Sequence, residues 1–306
     1  MFNTQKKIHR MINGLKDRIS RDPRTFRIYT ALRALVIVSL IISLIQGEYE
    51  SAALCILSLV LFLLPAFFEK QLKIEVPPLF ESLIYIFIFS AEILGEVDRF
   101  YTEIPGWDTM LHTINGFLCA AIGFSMVDLL NRHSERLNLS PAYVAFTAFC
   151  FSMTIGVVWE FIEFFVDSNF FLDMQKDFII QKISSVTLDP SHSQTPIVVD
   201  HITKTIIEKA DGSTVVIDGG YLDIGLIDTM KDLLVNFLGA ITFSLIGYFQ
   251  IKKRGADSLV NRLMIRVRSE EELEDVKAYL EEREKSRGER SLRGRKKKRE
   301  EARENG

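Results

Sequence analysis

The feature that most constrains this chain is a set of six apolar runs, each near the ~20 residues that cross a bilayer as a helix. They fall at about 29–46, 52–68, 79–95, 109–130, 141–166 and 226–251. Hydrocarbon offers no partner to a free backbone N–H or C=O, so runs of this kind have to be helices. A soluble core would have to hide several long, nearly uncharged stretches at once, which excludes an ordinary globular domain. Composition only supports this: the 23 phenylalanines lie largely inside the runs, and the basic run at Arg295–Arg299, with no aromatic residue interleaved, reads as a solvated tail beside the membrane rather than a nucleic-acid site. Cys55, Cys119 and Cys150 also lie inside the runs, without a CxxC, and read as small buried residues. No cleavable signal is evident, because the first run follows a long basic segment and reads as a retained helix.

The connections alternate in charge. Residues 1–28 are basic, loop 47–51 is acidic, and loop 69–78 carries Lys70 and Lys73. Loop 96–106 holds Glu96, Asp98 and Glu103 against Arg99, loop 131–140 holds Arg132 and Arg136, and the last run ends in Lys252, Lys253 and Arg254. The positive-inside rule then places both termini in the cytoplasm, with six crossings. The expected fold is an all-α polytopic membrane protein with six transmembrane helices, N-in and C-in. Its parts are a basic cytoplasmic segment at 1–28, spans one to five within 29–166, an extracytoplasmic insertion at 167–225, span six at 226–251 and a charged cytoplasmic tail at 252–306. In the insertion, ITKTIIEK and STVVID flank an Asp211-Gly212 turn, the pattern of a β-hairpin. In the tail, Ser269 and Glu272 form a capping box before a short helix, and the highly charged remainder is expected to be disordered.

Given that topology, depth follows from position. Asp108 and His112 open span four, Glu160 and Glu163 close span five, Asp228, Asp232 and Asn236 open span six, and Glu92 and Glu96 close span three. All reach the outer leaflet. Each set is spaced by three or four residues and so lies along one helix face. Ionisable groups inside a membrane are expensive and mark functional sites. So many carboxylates need a bound cation, shared protons or water. Oxygen ligands favour magnesium, calcium or manganese, and a histidine admits zinc or iron. His112, Glu160 and Glu163 are the candidates for acid/base work. Asp108, His112, Asp228 and Asp232 are the candidates for holding a divalent metal ion, with Glu92 and Asn236 completing the polar cluster. No zinc-protease signature, P-loop, dinucleotide fingerprint or nucleophile elbow is present.

Three motifs carry a resemblance. WDTMLHTINGF at 107–117, WEFIEFF at 159–165 and DTMKDLLVNFLGA at 228–240 resemble the pattern of the YjdF-like family of bacterial inner-membrane proteins. They are more distantly similar to VanZ-like membrane proteins, which share a D-x-x-x-H start, a later membrane acid and a D-x-x-x-N helix. The resemblance covers about residues 79–250 and implies a multi-pass bacterial membrane protein without a settled reaction, whose pattern carries over to Asp108, His112, Glu160, Glu163, Asp228, Asp232 and Asn236. The VanZ-like branch, associated with glycopeptide resistance, points to envelope chemistry. The insertion and the charged tail depart from the family pattern. The functions that remain open are an enzyme, metal-dependent or acid/base, on a lipid-like or envelope substrate; an ion-coupled transporter; and a scaffold whose polar groups only fix helix packing.

Overall fold

The computed structural model describes residues 22–72, 74–133, 138–253 and 263–267. Among the described residues, six helices are long and apolar enough to span a membrane: Pro23–Gln46, Tyr49–Glu69, Pro78–Val97, Trp107–Asn131, Pro141–Phe170 and Leu226–Lys252. The expected helical membrane fold is therefore observed, and the differences are local. The first span starts six residues before the apolar run, because Asp22 caps it. Its carboxylate accepts from the Arg24 amide at 3.1 Å, and a proline occupies the first helical turn, where no N–H is needed. The basic stretch before Asp22 lies outside the described residues.

The second span is broken at Phe62 and Leu63 into Tyr49–Leu61 and Leu64–Leu72. Pro65 accounts for the break, since it removes a helical donor and its ring crowds the preceding turn. The third span changes character halfway: Phe89–Val97 is a π-helix, and the Asp98 amide donates to the Ile93 carbonyl at 2.8 Å. The face shared by Glu92 and Glu96 is consequently not the α-helical stripe expected from their spacing. Glu92 is half-buried and Glu96 exposed.

Spans one to three pack around Tyr29, Phe62 and Tyr85, with ring centroids 5.1 Å apart for Tyr29 and Tyr85 and 5.6 Å for Phe62 and Tyr85. Spans four to six form the tighter half. Gly116 of span four lies against the Asn236 backbone of span six, and Gly239 of span six lies against the Thr113 backbone. A methyl group at either glycine would enter the neighbouring backbone, so these residues set the distance between the two helices. The Ser152 hydroxyl of span five donates to the Gly116 carbonyl at 2.7 Å. Below this contact Phe117, Phe124 and Phe243 stack edge to face, with Ala120, Ala121, Val144, Ala148 and Ala240 fully buried around them.

Between spans five and six the chain forms short antiparallel ladders, β2 (Ile179–Ile180) with β7 (Tyr221–Leu222), β3 (Ile183–Ser185) with β4 (Ile197–Val199), and β5 (Lys204–Glu208) with β6 (Thr214–Asp218). The last of these is the expected hairpin, with Gly212 at φ 80° in its turn. At the opposite end of the bundle β1 (Ile74–Glu75) pairs with β8 (Arg266–Val267), which lies beyond span six. Leu263 and Ile265 are buried there, and the Ile265 amide donates to the Ser125 hydroxyl at 3.1 Å. This stretch of the tail is a strand that returns to the bundle. The expected tail helix after Ser269 lies outside the described residues.

Candidate intramembrane site

Three spans bring ionisable groups together at the end of the bundle that carries the insertion. His112, 9% exposed, stands one turn into span four. Its Nε2 is 3.5 Å from Oδ1 of Asp108 on the same helix and 3.8 Å from Oδ2 of Asp232 on span six. Its Nδ1 is 4.0 Å from Oε1 of Glu160 on span five. The imidazole thus has two aspartates on one edge and a glutamate on the other. Asp232 and Glu160 are buried, while the Asp108 side chain is 29% exposed and faces the mouth. Among the described residues no lysine or arginine is paired with these three carboxylates. Both Glu160 oxygens are buried without a hydrogen-bond partner.

The other expected site residues take different places. Glu163 is buried one turn further along span five, and its Oε1 accepts from the Trp159 indole at 2.6 Å. Asp228 is buried but turned outward, its Oδ2 accepting from the Lys176 amide at 2.8 Å. It stands outside the group formed by Asp108, His112 and Asp232, whose ligand atoms all lie within 4.8 Å of one another. Asn236, fully buried, sits two turns beneath Asp228 and reaches the Ser152 carbonyl at 3.5 Å, so it joins span six to span five below the histidine. Glu92 lies to the side, in electrostatic range of Glu96 and Tyr101.

A strap crosses the same end of the bundle, beside the cluster. After span five ends at Phe170, residues 173–178 cross back to the start of span six. Asp167 accepts from the Met174 and Gln175 amides at 2.7 and 2.8 Å. Asp223 accepts from the Phe178 amide at 2.7 Å and caps the first turn of span six through the Ile227 amide at 2.9 Å. The Gln175 amide side chain donates to Thr229 at 2.6 Å, and the two lie near enough to Glu160 to act on its charge. Lys176 pairs with Asp173, and Lys231 sits 3.5 Å from the centre of the Phe178 ring. Both cations are thereby engaged at the rim.

Sequence reasoning missed Gln175, Thr229 and Tyr101. The first two depend on long-range capping that no local pattern announces. Tyr101 lies in the short helix Phe100–Glu103 between spans three and four and packs its ring on Gly95. Burial first, and then the charge of Asp108, push its phenol far above the ordinary tyrosine range. It therefore stays protonated, a neutral donor at the edge of the site. The nearby Trp107 indole donates to the Ser90 carbonyl at 3.3 Å, fixing the start of span four against the π-helix.

Fold and site together define a class: a six-span membrane protein with a histidine enclosed by carboxylates near one end of its bundle. Within that class, the chain belongs to the DUF2238 family of predicted membrane proteins, which it matches over residues 28–253. It is also similar to a protein of Thermotoga maritima described only as uncharacterized, 28% identical over 103 residues, or 34% of this chain. The match spans 52% of that relative's length. No solved structure matches the chain.

Proposed function

We propose that this protein is an enzyme of the bacterial inner membrane whose outward-facing Asp/His/Glu site acts on a lipid-like or cell-envelope substrate. The observation that carries the reading is His112, which has a carboxylate facing each ring nitrogen, drawn from spans four, five and six. Holding such a set together in hydrocarbon is costly, and a structural role alone needs far less. In this reading His112 and Glu160 or Glu163 exchange protons, while Asp108 and Asp232 hold a cation or orient the imidazole and Asp228, engaged by the Lys176 amide, stands at the rim. Tyr101 adds a neutral donor at the mouth. The substrate approaches from the outer leaflet, where the charge alternation places the strap and the insertion, and membrane lipids surround the spans. The YjdF-like and more distant VanZ-like resemblance adds weight to an envelope role.

An ion-coupled carrier would use the same acids but needs a path to the other side. The stacked Phe117, Phe124 and Phe243 and the buried alanines beneath Asn236 stand against one. The test is complementation. In cells lacking the protein, lipid and lipid-linked glycan profiles are compared after supplying the wild type or His112→Ala at matched membrane levels. The enzyme reading requires that His112→Ala leave the profile of the deleted strain. Full restoration by that variant defeats it.

A further inference from the structure

The enzyme reading leaves open how three clustered carboxylates are tolerated, and the directions of the His112 nitrogens bear on this. Nε2 faces Asp108 and Asp232 at 3.5 and 3.8 Å. These distances are long for hydrogen bonds. They are close to the separation of about 3.3 Å between ligand atoms around a tetrahedral ion with bonds of ~2.0–2.1 Å. A small inward movement of the side chains would bring all three donors onto one ion. The opposite nitrogen, Nδ1, faces Glu160. That is the arrangement in which a carboxylate behind a histidine holds its N–H and leaves the other nitrogen's lone pair free for a metal.

Charge and burial agree with this. One divalent cation cancels the two aspartates, which leaves Glu160 alone of the three carboxylates to be accommodated in a site that lacks a lysine or arginine partner among the described residues. Glu160 supplies an independent observation: it is 4% exposed, neither oxygen meets a donor in good hydrogen-bond geometry although Thr229 and Gln175 stand close by, and its Oε1 faces the imidazole Nδ1 at 4.0 Å. Orphaned polar atoms of this kind call for a missing partner. A tighter, metal-fixed imidazole whose Nδ1–H points at Glu160 supplies one. Asp228 has no such need, because the Lys176 amide already satisfies it.

We propose that Asp108, His112 and Asp232 bind one divalent first-row metal ion through two carboxylates and Nε2, with Glu160 as the positioning residue behind the ring. The mixed oxygen and nitrogen donors fit zinc or manganese better than calcium. Three protein ligands leave a coordination position open, as catalytic rather than structural sites do. The strap at 173–178 overlies that end of the bundle. This deepens the enzyme reading of the same site, but its test reads metal rather than turnover.

Full-length protein in detergent is loaded with Zn2+ and, separately, Mn2+, freed of excess ion by gel filtration and assayed by elemental mass spectrometry. The expected result is about one ion per chain in the wild type and a tenth of that or less in His112→Ala and Asp232→Asn. Glu160→Gln is expected to bind 10- to 100-fold more weakly, as for other residues behind a ligating histidine. A folded, monodisperse wild type that retains neither ion overturns the proposal, and so do variants that hold as much as the wild type. If the variants do not fold, Co2+-loaded wild type decides. An intense visible band from a low-coordinate site supports the proposal, and a weak octahedral spectrum overturns it. Metal binding alongside full complementation by His112→Ala would leave the metal site standing and defeat the enzyme reading, so the two failures are distinguishable.

Discussion

At the scale of single residues, Glu160 is the most informative side chain. In the metal-free protein it is a buried carboxylate whose neighbours Gln175 and Thr229 are poorly placed to donate, and an unsatisfied polar group costs about 1–3 kcal/mol and a charged one more. Glu160→Leu is therefore expected to raise the detergent melting temperature, or leave it unchanged, while abolishing complementation. A clear drop in melting temperature would instead mean that Glu160 is satisfied in the folded protein. Trp159→Phe tests its neighbour: it removes the indole donor held by Glu163 and should cost about 1–3 kcal/mol, read as a lower melting temperature that Trp159→Phe/Glu163→Gln partly restores. The residue scale also shows how much of the site was legible in the sequence. Asp108 and His112 are readable as a pair, because four residues make one helical turn and both stand at the start of an apolar run. That Glu160 rather than Glu163 faces the imidazole was not readable. Three residues apart, both point into the same sector of the helix, and the choice rests on an indole bond and on the rotation of span five.

At the scale of elements, the site depends on how closely spans four and six approach. Gly239→Ala would press a methyl group into the Thr113 carbonyl, and overpacking of this kind costs about 1–3 kcal/mol. The expected result is a lower melting temperature, and also weaker metal retention, because Asp108 and Asp232 sit on the two helices being forced apart. The strap is governed by caps. Asp223→Ala frees the Phe178 and Ile227 amides and should cost about 1 kcal/mol at the helix start, with faster hydrogen exchange at 174–178 as its signature. Within the insertion, the Ser191 and Ser193 hydroxyls hold the Asp189 carboxyl far below the usual carboxylate range. A depressed value means that this loop gains stability above the unfolded aspartate value of about 3.9 and loses it as pH falls toward the folded one. Exchange at the Ser191 and Ser193 amides should thus stay slow down to about pH 4 and quicken in stronger acid or in Asp189→Asn. The hairpin at 204–218 was legible from alternation and its Asp-Gly turn. The π-helix, the break before Pro65 and the strap were not, because each arises from one hydrogen bond lost, shifted or supplied from far along the chain.

At the scale of the whole molecule, six apolar runs were enough to see the architecture, since spanning length is a physical threshold rather than a statistical preference. The orientation rests on loop charge. Cysteine labelling checks it: with Cys55, Cys119 and Cys150 replaced by alanine, Ser213→Cys at the hairpin tip should react with a membrane-impermeant maleimide in intact spheroplasts. Asn138→Cys, before span five, should react only after the membrane is opened. The reverse pattern would turn the site toward the cytoplasm and remove the envelope substrate from consideration.

The order of the chain adds one consequence. Asp108 precedes both Asp232 and the strand at Arg266–Val267 in the chain, so it is made first. Until span six is inserted, His112 and Glu160 have no third wall, and the corner between spans two and three is unclasped. A chain stopped before span six therefore leaves its acids without their third wall and the corner between spans two and three without its strand partner. Completion of the polar pocket and pairing at the other end of the bundle thus both wait on one stretch of chain, span six and the strand that follows it.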